Sequence, residues 1–493
     1  MVNIKMALPG IQTLGQLKTS GYKSVSIKDE MRNNLIQFLK SGKSPFEGIF
    51  GFDDTVIPDI ERAVLSRHNI LLLGLRGQAK TRMARLMVNL LDEYIPVVKG
   101  SELNDDPLNP VSRYARELIA QLGDETPITW VHRNERYVEK LATPDVTVAD
   151  LIGDIDPIKA ASLKLHYNDE RVIHFGLIPR SNRCIFVINE LPDLQARIQV
   201  SLFNILQEGD IQIRGFKLRL HLDIEMVFTA NPEDYTNRGS ITTPLKDRID
   251  SQILTHYPES IEVGMKITAQ ESKLTVDQTK NIHIRQEIRR LIELVAYKAR
   301  SSELIDEKSG ISARLAISAL ENIVSTAERR MLINNEAGTD VRIGDIWGII
   351  PSMTGKMELV YEGEQEGPYS VAQDIIDEAI KELFLEYFPN PEALKKAGEK
   401  DPYATVKKWF GQAYTIELLL SEPDAALKDK LLSVSGVQEL LRAQKVDKKD
   451  ETFFGELLLH GLAAFEVITK ELIDNQITFS DQLADFLNDL NDN

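Results

Sequence analysis

A single cysteine, Cys184, stands among 493 residues, which excludes an intrachain disulfide and a thiolate zinc cage and points to a reducing compartment. No run of eighteen apolar residues occurs, and the opening segment mixes Lys5 with Pro9 and Gly10. Neither a membrane span nor a signal peptide is therefore expected, and the cytoplasm is the natural setting. Positive charge is also in short supply: 58 Lys and Arg face 75 Asp and Glu, a formal net charge of -17. Surfaces that hold DNA or RNA are normally basic, so this balance argues against a nucleic-acid partner, although a local basic groove is compatible with it. The eight histidines show no metal-ligand spacing, and neither a His-Glu-x-x-His run nor a nucleophile elbow is present. With 43% hydrophobic and 27% charged residues, the chain reads as an ordinary globular protein long enough for about three domains.

What is present begins with a phosphate-binding loop in its proper context. Gly74, Leu75, Arg76, Gly77, Gln78, Ala79, Lys80 and Thr81 follow the apolar run Ile70–Leu73 and open a helix-like stretch, Thr81–Leu91, with Met83, Leu86, Met87 and Leu90 at helical spacing. A buried strand ending in glycines lets backbone N–H groups surround a triphosphate, and the following helix adds the positive end of its dipole. In such a loop Lys80 reaches the terminal phosphates of ATP and Thr81 ligates Mg²⁺. Ala79 stands where glycine is usual; a plain glycine turn is the alternative.

A second strand, Cys184–Ile188, runs into Asn189 and Glu190. At such a tip Glu190 can polarise a water for in-line attack on a phosphoryl group, which makes it the catalytic candidate. Asn189 stands where an aspartate is usual; its amide oxygen can accept a hydrogen bond from a Mg²⁺-bound water but adds no negative charge. A third strand, Ile224–Thr229, leads to Asn231, placed to share the attacking water with Glu190.

The pattern of strands is Ile70–Leu73, Thr129–His132, Cys184–Ile188, Ile224–Thr229 and Gln252–Leu254, with helix-like segments between them. That alternation implies an α/β core, a mostly parallel sheet flanked by helices. Ser26 to Asp29 has the form of a capping box before a helix carrying Met31, Leu35, Phe38 and Leu39. After Pro258 the strand signal nearly vanishes, and Ile284–Ala299 and Ser312–Arg329 read as amphipathic helices. The stretch from Tyr361 to Pro368 has linker composition; beyond it Val371–Tyr387, Ala404–Leu420 and Phe453–Ile473 are helix-like. The expected organisation is an N-terminal arm over 1–45, a nucleotide-binding core over 46–258, a helical lid over 259–362 and a helical C-terminal region over 363–493. Cys184 reads as a buried small hydrophobe, and Trp347 with Ile346, Ile349 and Ile350 as lid core.

Taken together these motifs resemble an AAA+ ATPase, with Lys80 and Thr81 in Walker A, Asn189 and Glu190 in Walker B, and Asn231 at sensor 1. The segments Pro144–Asp156 and Phe175–Arg183 are similar to those of magnesium-chelatase I-type subunits and MoxR-type ATPases, where an insertion interrupts helix 2 and a hairpin precedes sensor 1. Ile211–Ile213 and Lys217–Leu220 resemble that hairpin; any surface hairpin would look alike. The resemblance makes Arg248 an arginine finger acting in a neighbour's ATP site and Arg314 the sensor-2 residue. Arg238 is a lesser candidate for a second interface arginine. Val56 and Ile57 fall where the family packs near adenine, though core packing accounts for them nearly as well. The resemblance implies ATP and Mg²⁺ as cofactors, a homo-oligomeric ring, hexameric in form, and a partner protein bearing a von Willebrand factor A domain. Two alternatives are a true magnesium-chelatase subunit of tetrapyrrole synthesis and a nucleotide switch that hydrolyses slowly or not at all. A transcription activator or DNA motor ranks last, since no Gly-Ala-Phe-Thr-Gly-Ala loop is present.

Overall fold

The computed structural model describes residues 10–164, 166, 169–213, 219–232, 240–306, 311–398, 401–473 and 475–481. Two compact units make up the chain, Met1–Tyr257 and Pro258–Asn493.

The first unit is built on five parallel strands: β1 (Ile70–Leu73), β2 (Tyr137–Leu141), β3 (Cys184–Asn189), β4 (Ile224–Ala230) and β5 (Ser251–Leu254), in the spatial order β5-β1-β4-β3-β2. Their inner residues are apolar without alternation because both faces are covered. Leu72, Val187, Val227 and Ile253 enter one core cluster, while Leu71, Phe186, Met226 and Phe228 enter another, as the two-residue side-chain period of a strand requires. Helices α1 (Ile27–Ser41), α2 (Val56–Ser66) and α3 (Lys80–Leu86) contribute to the first of these clusters. In register, Leu73 lies opposite Ala230 and Leu254, and Leu141 opposite Asn189. The carboxyl ends of β1, β3 and β4 therefore open at one edge, where ligands of open α/β sheets bind.

Four of the five expected strands belong to this sheet, and one assignment is corrected. Ile128–His132 is a strand but pairs antiparallel with Tyr94–Val98 in a separate ribbon. The fifth position is taken by β2, whose Glu139 and Lys140 interrupt the apolar pattern, as befits an edge strand with only one neighbour. The helix after the loop stays α-helical only to Leu86 and tightens to a 3₁₀ turn over Met87–Leu90.

The N-terminal segment is integral to the first unit. Ser26 Oγ caps α1 by accepting the Asp29 N–H at 3.1 Å, and it donates to the Asp29 carboxylate, so the reciprocal half of the capping box falls on a hydroxyl. Buried Glu30 takes a bidentate grip on buried Arg136 at 2.6 and 2.7 Å, tying α1 to the entry of β2. The desolvation cost of such a pair is offset by this geometry together with further bonds, Arg136 Nε donating to the Arg183 carbonyl at 2.9 Å and the Asp92 N–H to Glu30 Oε1 at 2.6 Å.

The second unit packs Gln286–Ser301, Arg314–Ile333, Pro368–Tyr387 and Glu451–Ala464 around one continuous hydrophobic cluster running in sequence from Ile282 to Phe479. Ile346, Trp347, Ile349 and Ile350 lie within it. The expected linker is helical, Tyr361–Glu366 followed directly by the helix from Pro368, and no core boundary falls there. Two expected helices stop early. Ala404–Phe410 gives way to the strand Ile416–Leu419, and Glu451–Ala464 to the strand Thr469–Ile473; with Gln476–Ser480 between them these form a three-stranded antiparallel sheet.

Candidate functional site: the carboxyl edge of the sheet

Between β1 and α3 the chain turns through two left-handed residues. Gly77 has φ +76° and Ala79 φ +55°, the latter a conformation that costs an L-residue with a Cβ roughly 1–2 kcal/mol, which accounts for glycine being usual there. At Gly74 a Cβ would run into the Thr255 hydroxyl and the Gln78 amide oxygen. Those two groups are themselves joined, Thr255 Oγ1 donating to Gln78 Oε1 at 2.6 Å, and they pin the loop to the end of β5. Tyr257 Oη donates to the Arg76 carbonyl at 3.0 Å.

Lys80 is 7% exposed. Its ammonium donates to the Gly74 carbonyl, to the Leu75 carbonyl at 2.8 Å and to Asn231 Oδ1 at 2.8 Å. Asn231 Nδ2 in turn donates to Glu190 Oε2 at 3.0 Å. A cation from the start of α3 and a carboxylate from the end of β3 are thus joined through one buried asparagine at the end of β4. Glu190 also has φ +55°, and its N–H bonds Thr229 Oγ1 at 3.2 Å. Strained backbone at a strand tip persists where surrounding contacts over-determine it, and it is characteristic of functional positions.

Beside this chain of contacts lies a second one. Asn189 Oδ1 accepts from Thr229 Oγ1 at 3.0 Å and Thr81 Oγ1 at 3.3 Å, while Asn189 Nδ2 donates to Glu139 Oε1 at 2.6 Å. Glu139 Oε2 also accepts from Arg85 at 2.8 Å and from Tyr137 Oη at 3.2 Å. Burial, reinforced by the Glu139 charge, pushes the Tyr137 phenol up from its ordinary value, and the bond to Glu139 raises Arg85. Glu139 was not among the residues singled out from the sequence. Its only signal there is a carboxylate in a short alternating stretch, Tyr137-Val138-Glu139-Lys140-Leu141.

The donors gathered here are hydroxyl, amide and carboxylate oxygens, the set a hard cation such as Mg²⁺ prefers. Among the described residues no group of three or more His, Cys, Asp or Glu could hold a metal by itself. The donor set therefore fits an ion that brings its remaining ligands with it, such as the phosphates of a nucleotide.

The remaining sequence candidates lie elsewhere. Arg248 donates to Gln207 Oε1 at 3.2 Å and the Pro244 carbonyl at 2.7 Å, and its guanidinium lies 4.8 Å from the centroid of Phe203; none of these belongs to the Lys80 cluster. Arg314 is exposed in the second unit and opens the helix to Ile333, its N–H bonding Ser312 Oγ at 3.2 Å. Val56 and Ile57 are buried in the core cluster of α1 and α2. Arg238 and Lys217 lie outside the described residues; the hairpin around Lys217 is described as Asp210–Gln212 paired with Arg219–His221. Cys184 is buried, and burial pushes its thiol up to about 11, so it packs as a hydrophobe.

The parallel sheet, the glycine loop that leaves its inner strand β1 for a helix, and the polar ends of β3 and β4 make an open α/β fold with a strand–glycine loop–helix unit at its centre. No protein-family model matches the chain, and neither does any curated protein. Among solved structures it is similar to the complex of the magnesium-chelatase subunits BchI and BchD, with 17% identity, 65% of this chain and 98% of that one covered, and a TM-score of 0.35. It is similar also to a putative ATPase from Cytophaga hutchinsonii, with 17% identity, 73% and 97% coverage and a TM-score of 0.27. For NtrX from Brucella abortus in complex with ATP the figures are 13%, 59% and 52%, and 0.33; the chain spans about half the length of that protein. At these scores the superpositions are loose, and the functional reading stands on the site itself.

Proposed function

We propose that the chain is an AAA+ ATPase of the MoxR and magnesium-chelatase-like kind, which binds ATP with Mg²⁺ at the carboxyl edge of the first-unit sheet and hydrolyses it. The observation that carries this reading is the linkage Lys80–Asn231–Glu190, made between the start of α3 and the ends of β4 and β3. Lys80, held by two loop carbonyls and one amide, exchanges them for phosphate oxygens when a triphosphate enters the loop. Asn231 then keeps one amide group on Glu190 and orients the water between them. Glu190 accepts the proton of that water as it attacks the γ-phosphorus, and ADP leaves as the bond to the bridging oxygen breaks. The side-chain oxygens of Thr81 and Asn189 would hold Mg²⁺, which when bound would supply neutralising charge to the nucleotide's phosphates.

Arg248 is assigned to the ATP site of a neighbouring copy, a reading supported by its exposed hydrogen bonds to Gln207 and the Pro244 carbonyl, which a neighbour's phosphates can replace. That role requires contact between copies of the chain, and the resemblance to MoxR-type and magnesium-chelatase ATPases gives the assembly as a homo-oligomeric ring, hexameric in form. Arg314 is assigned to sensing nucleotide through the second unit. The work output is remodelling of a partner protein, one with a von Willebrand factor A domain, in the cytoplasm. Asn189 in place of a carboxylate and the strain at Ala79 favour slow turnover within this scheme.

The test is a pair of substitutions read in two assays. Lys80→Ala is expected to abolish ATP uptake in calorimetry, whereas Glu190→Gln retains it and loses hydrolysis by about 10²–10⁴-fold. Mixing Glu190→Gln with Arg248→Ala protein should restore part of the activity through shared sites. Parent-like turnover by Glu190→Gln would remove it from the catalytic role, and silence of every mixture would remove Arg248 from the neighbour's site.

A further inference from the structure

We infer that Glu139 supplies, from the adjacent edge strand, the negative charge that position 189 lacks, and that it sets the orientation of the Asn189 amide so that its oxygen faces the metal side of the nucleotide site. The inference rests on the nucleotide reading above and concerns how this chain serves Mg²⁺ with a neutral residue at the end of β3.

The register places the two side chains together. Glu139 lies opposite Val187 and Leu141 opposite Asn189, so Glu139 and Asn189 are diagonal neighbours on one face of the sheet, within reach of each other. Val187 marks that face as the one packed in the cluster with Met83 and Ala84 of α3. An asparagine amide has two ends that differ in chemistry, one accepting and one donating. Flipped, it would aim its NH₂ group at the Thr81 hydroxyl and be useless to a cation. Glu139 prevents the flip, because a carboxylate accepts only, and its 2.6 Å contact requires Nδ2 on that side. Oδ1 is left facing Thr81 and Thr229.

Charge is the second contribution. With Glu139 at 2.6 Å the pair carries one negative charge shared between a carboxylate and a polarised amide, in place of a carboxylate at the tip itself. Arg85 offsets part of it, but its side chain is 64% exposed against 24% for Glu139, and an exposed ion pair is screened by solvent. Glu139 is thus a positioning residue, acting on the metal through Asn189.

The measurement is the gain in ATP affinity that magnesium confers, taken by calorimetry as the ratio of Kd in chelator to Kd in excess Mg²⁺, so that each variant is its own reference. Glu139→Gln is expected to shrink that gain by about tenfold. The double variant Glu139→Gln/Asn189→Asp should recover most of it, since glutamine can donate to the new aspartate and the hydrogen bond survives with its roles exchanged. Urea unfolding of both variants reports whether the recovery reflects refolding alone; a recovered gain without a matching recovery of stability supports the inference. A gain unchanged within twofold in Glu139→Gln, or no recovery in the double variant, overturns it while leaving the nucleotide reading intact. Absence of any ATP uptake by the parent overturns both.

Discussion

The two units each hide a polar network, and the networks differ in what ties them down. In the second unit buried Arg330 donates to Thr339 at 2.7 Å, Asp424 at 2.8 Å, and both the Asp340 carbonyl and Asp345 at 2.9 Å. Nearby, buried Glu456 accepts the N–H groups of Ile343 and Gly344 at 2.8 and 2.9 Å. Formal charges there meet formal charges or backbone groups inside the helical core, and the network serves packing. At the sheet edge of the first unit the links run through neutral amides, Asn231 and Asn189, to Lys80, Glu190 and Glu139, and both Glu190 and Ala79, the residue before Lys80, have left-handed backbone. Such an amide link is a single hydrogen bond to a charged group, contributing about 1.5–3 kcal/mol net, and a ligand that offers charged oxygens can replace it. A buried ion pair cannot be opened so cheaply.

The sharpest way to break this comparison is to remove one cation from each network. Arg330→Ala should destabilise the second unit by about 3–5 kcal/mol, since it strands Asp345 without its partner, while Lys80→Ala should cost about 1.5–3 kcal/mol, since the groups it leaves are neutral. Urea unfolding measures both, and equal losses would mean that the sheet-edge network is as structural as the other. Acid titration sharpens the contrast further. Burial raises Glu225, on β4 in the first unit, from 4.5 to about 8 against the pull of Lys28, and raises Glu456 in the second unit to about 7. Between 4.5 and those values the folded chain holds protons that the unfolded chain has released, so stability falls as pH rises through each window, by up to about 1.4 kcal/mol per pH unit per group. Glu225→Gln should flatten the part of the slope that extends up to pH 8 and leave that of Glu456; a slope unchanged by the substitution counts against the assignment. The smallest effect belongs to Ala79→Gly, which relieves the left-handed strain and should raise stability by roughly 0.5–1 kcal/mol. A loss on thermal unfolding would show that the loop is not strained at that residue.

Much of the sheet edge could be read from residue order alone. β1, β3 and β4 contain apolar stretches because each lies inside the sheet and is covered on both faces, and a glycine or polar residue soon after such a run is conspicuous: Gly74, Asn189 with Glu190, and Asn231 all stand out in this way. β2 was not legible. It has one neighbour, half-exposed residues and two charges in five positions, so its apolar count resembles that of a surface ribbon, and the true ribbon strand Ile128–His132 outscored it. The second unit misled for a different reason. Leu457, Leu458, Leu459 and Leu462 are buried all round their helix, and a uniformly apolar run carries no period by which to find where the helix ends. Thr469–Ile473 was therefore absorbed into it.

The amino-acid sequence by itself determined the glycine loop between strand and helix, the polar residues at the strand ends and the α/β character of the first unit, because these depend on local backbone chemistry and on which side chains water rejects. Tertiary structure alone decided which strand lies beside β3. That pairing brings Glu139 within 2.6 Å of Asn189 from fifty positions away in the chain, and hydrogen bonding between strands distant in sequence is set by the packing of the whole sheet, which no local pattern encodes.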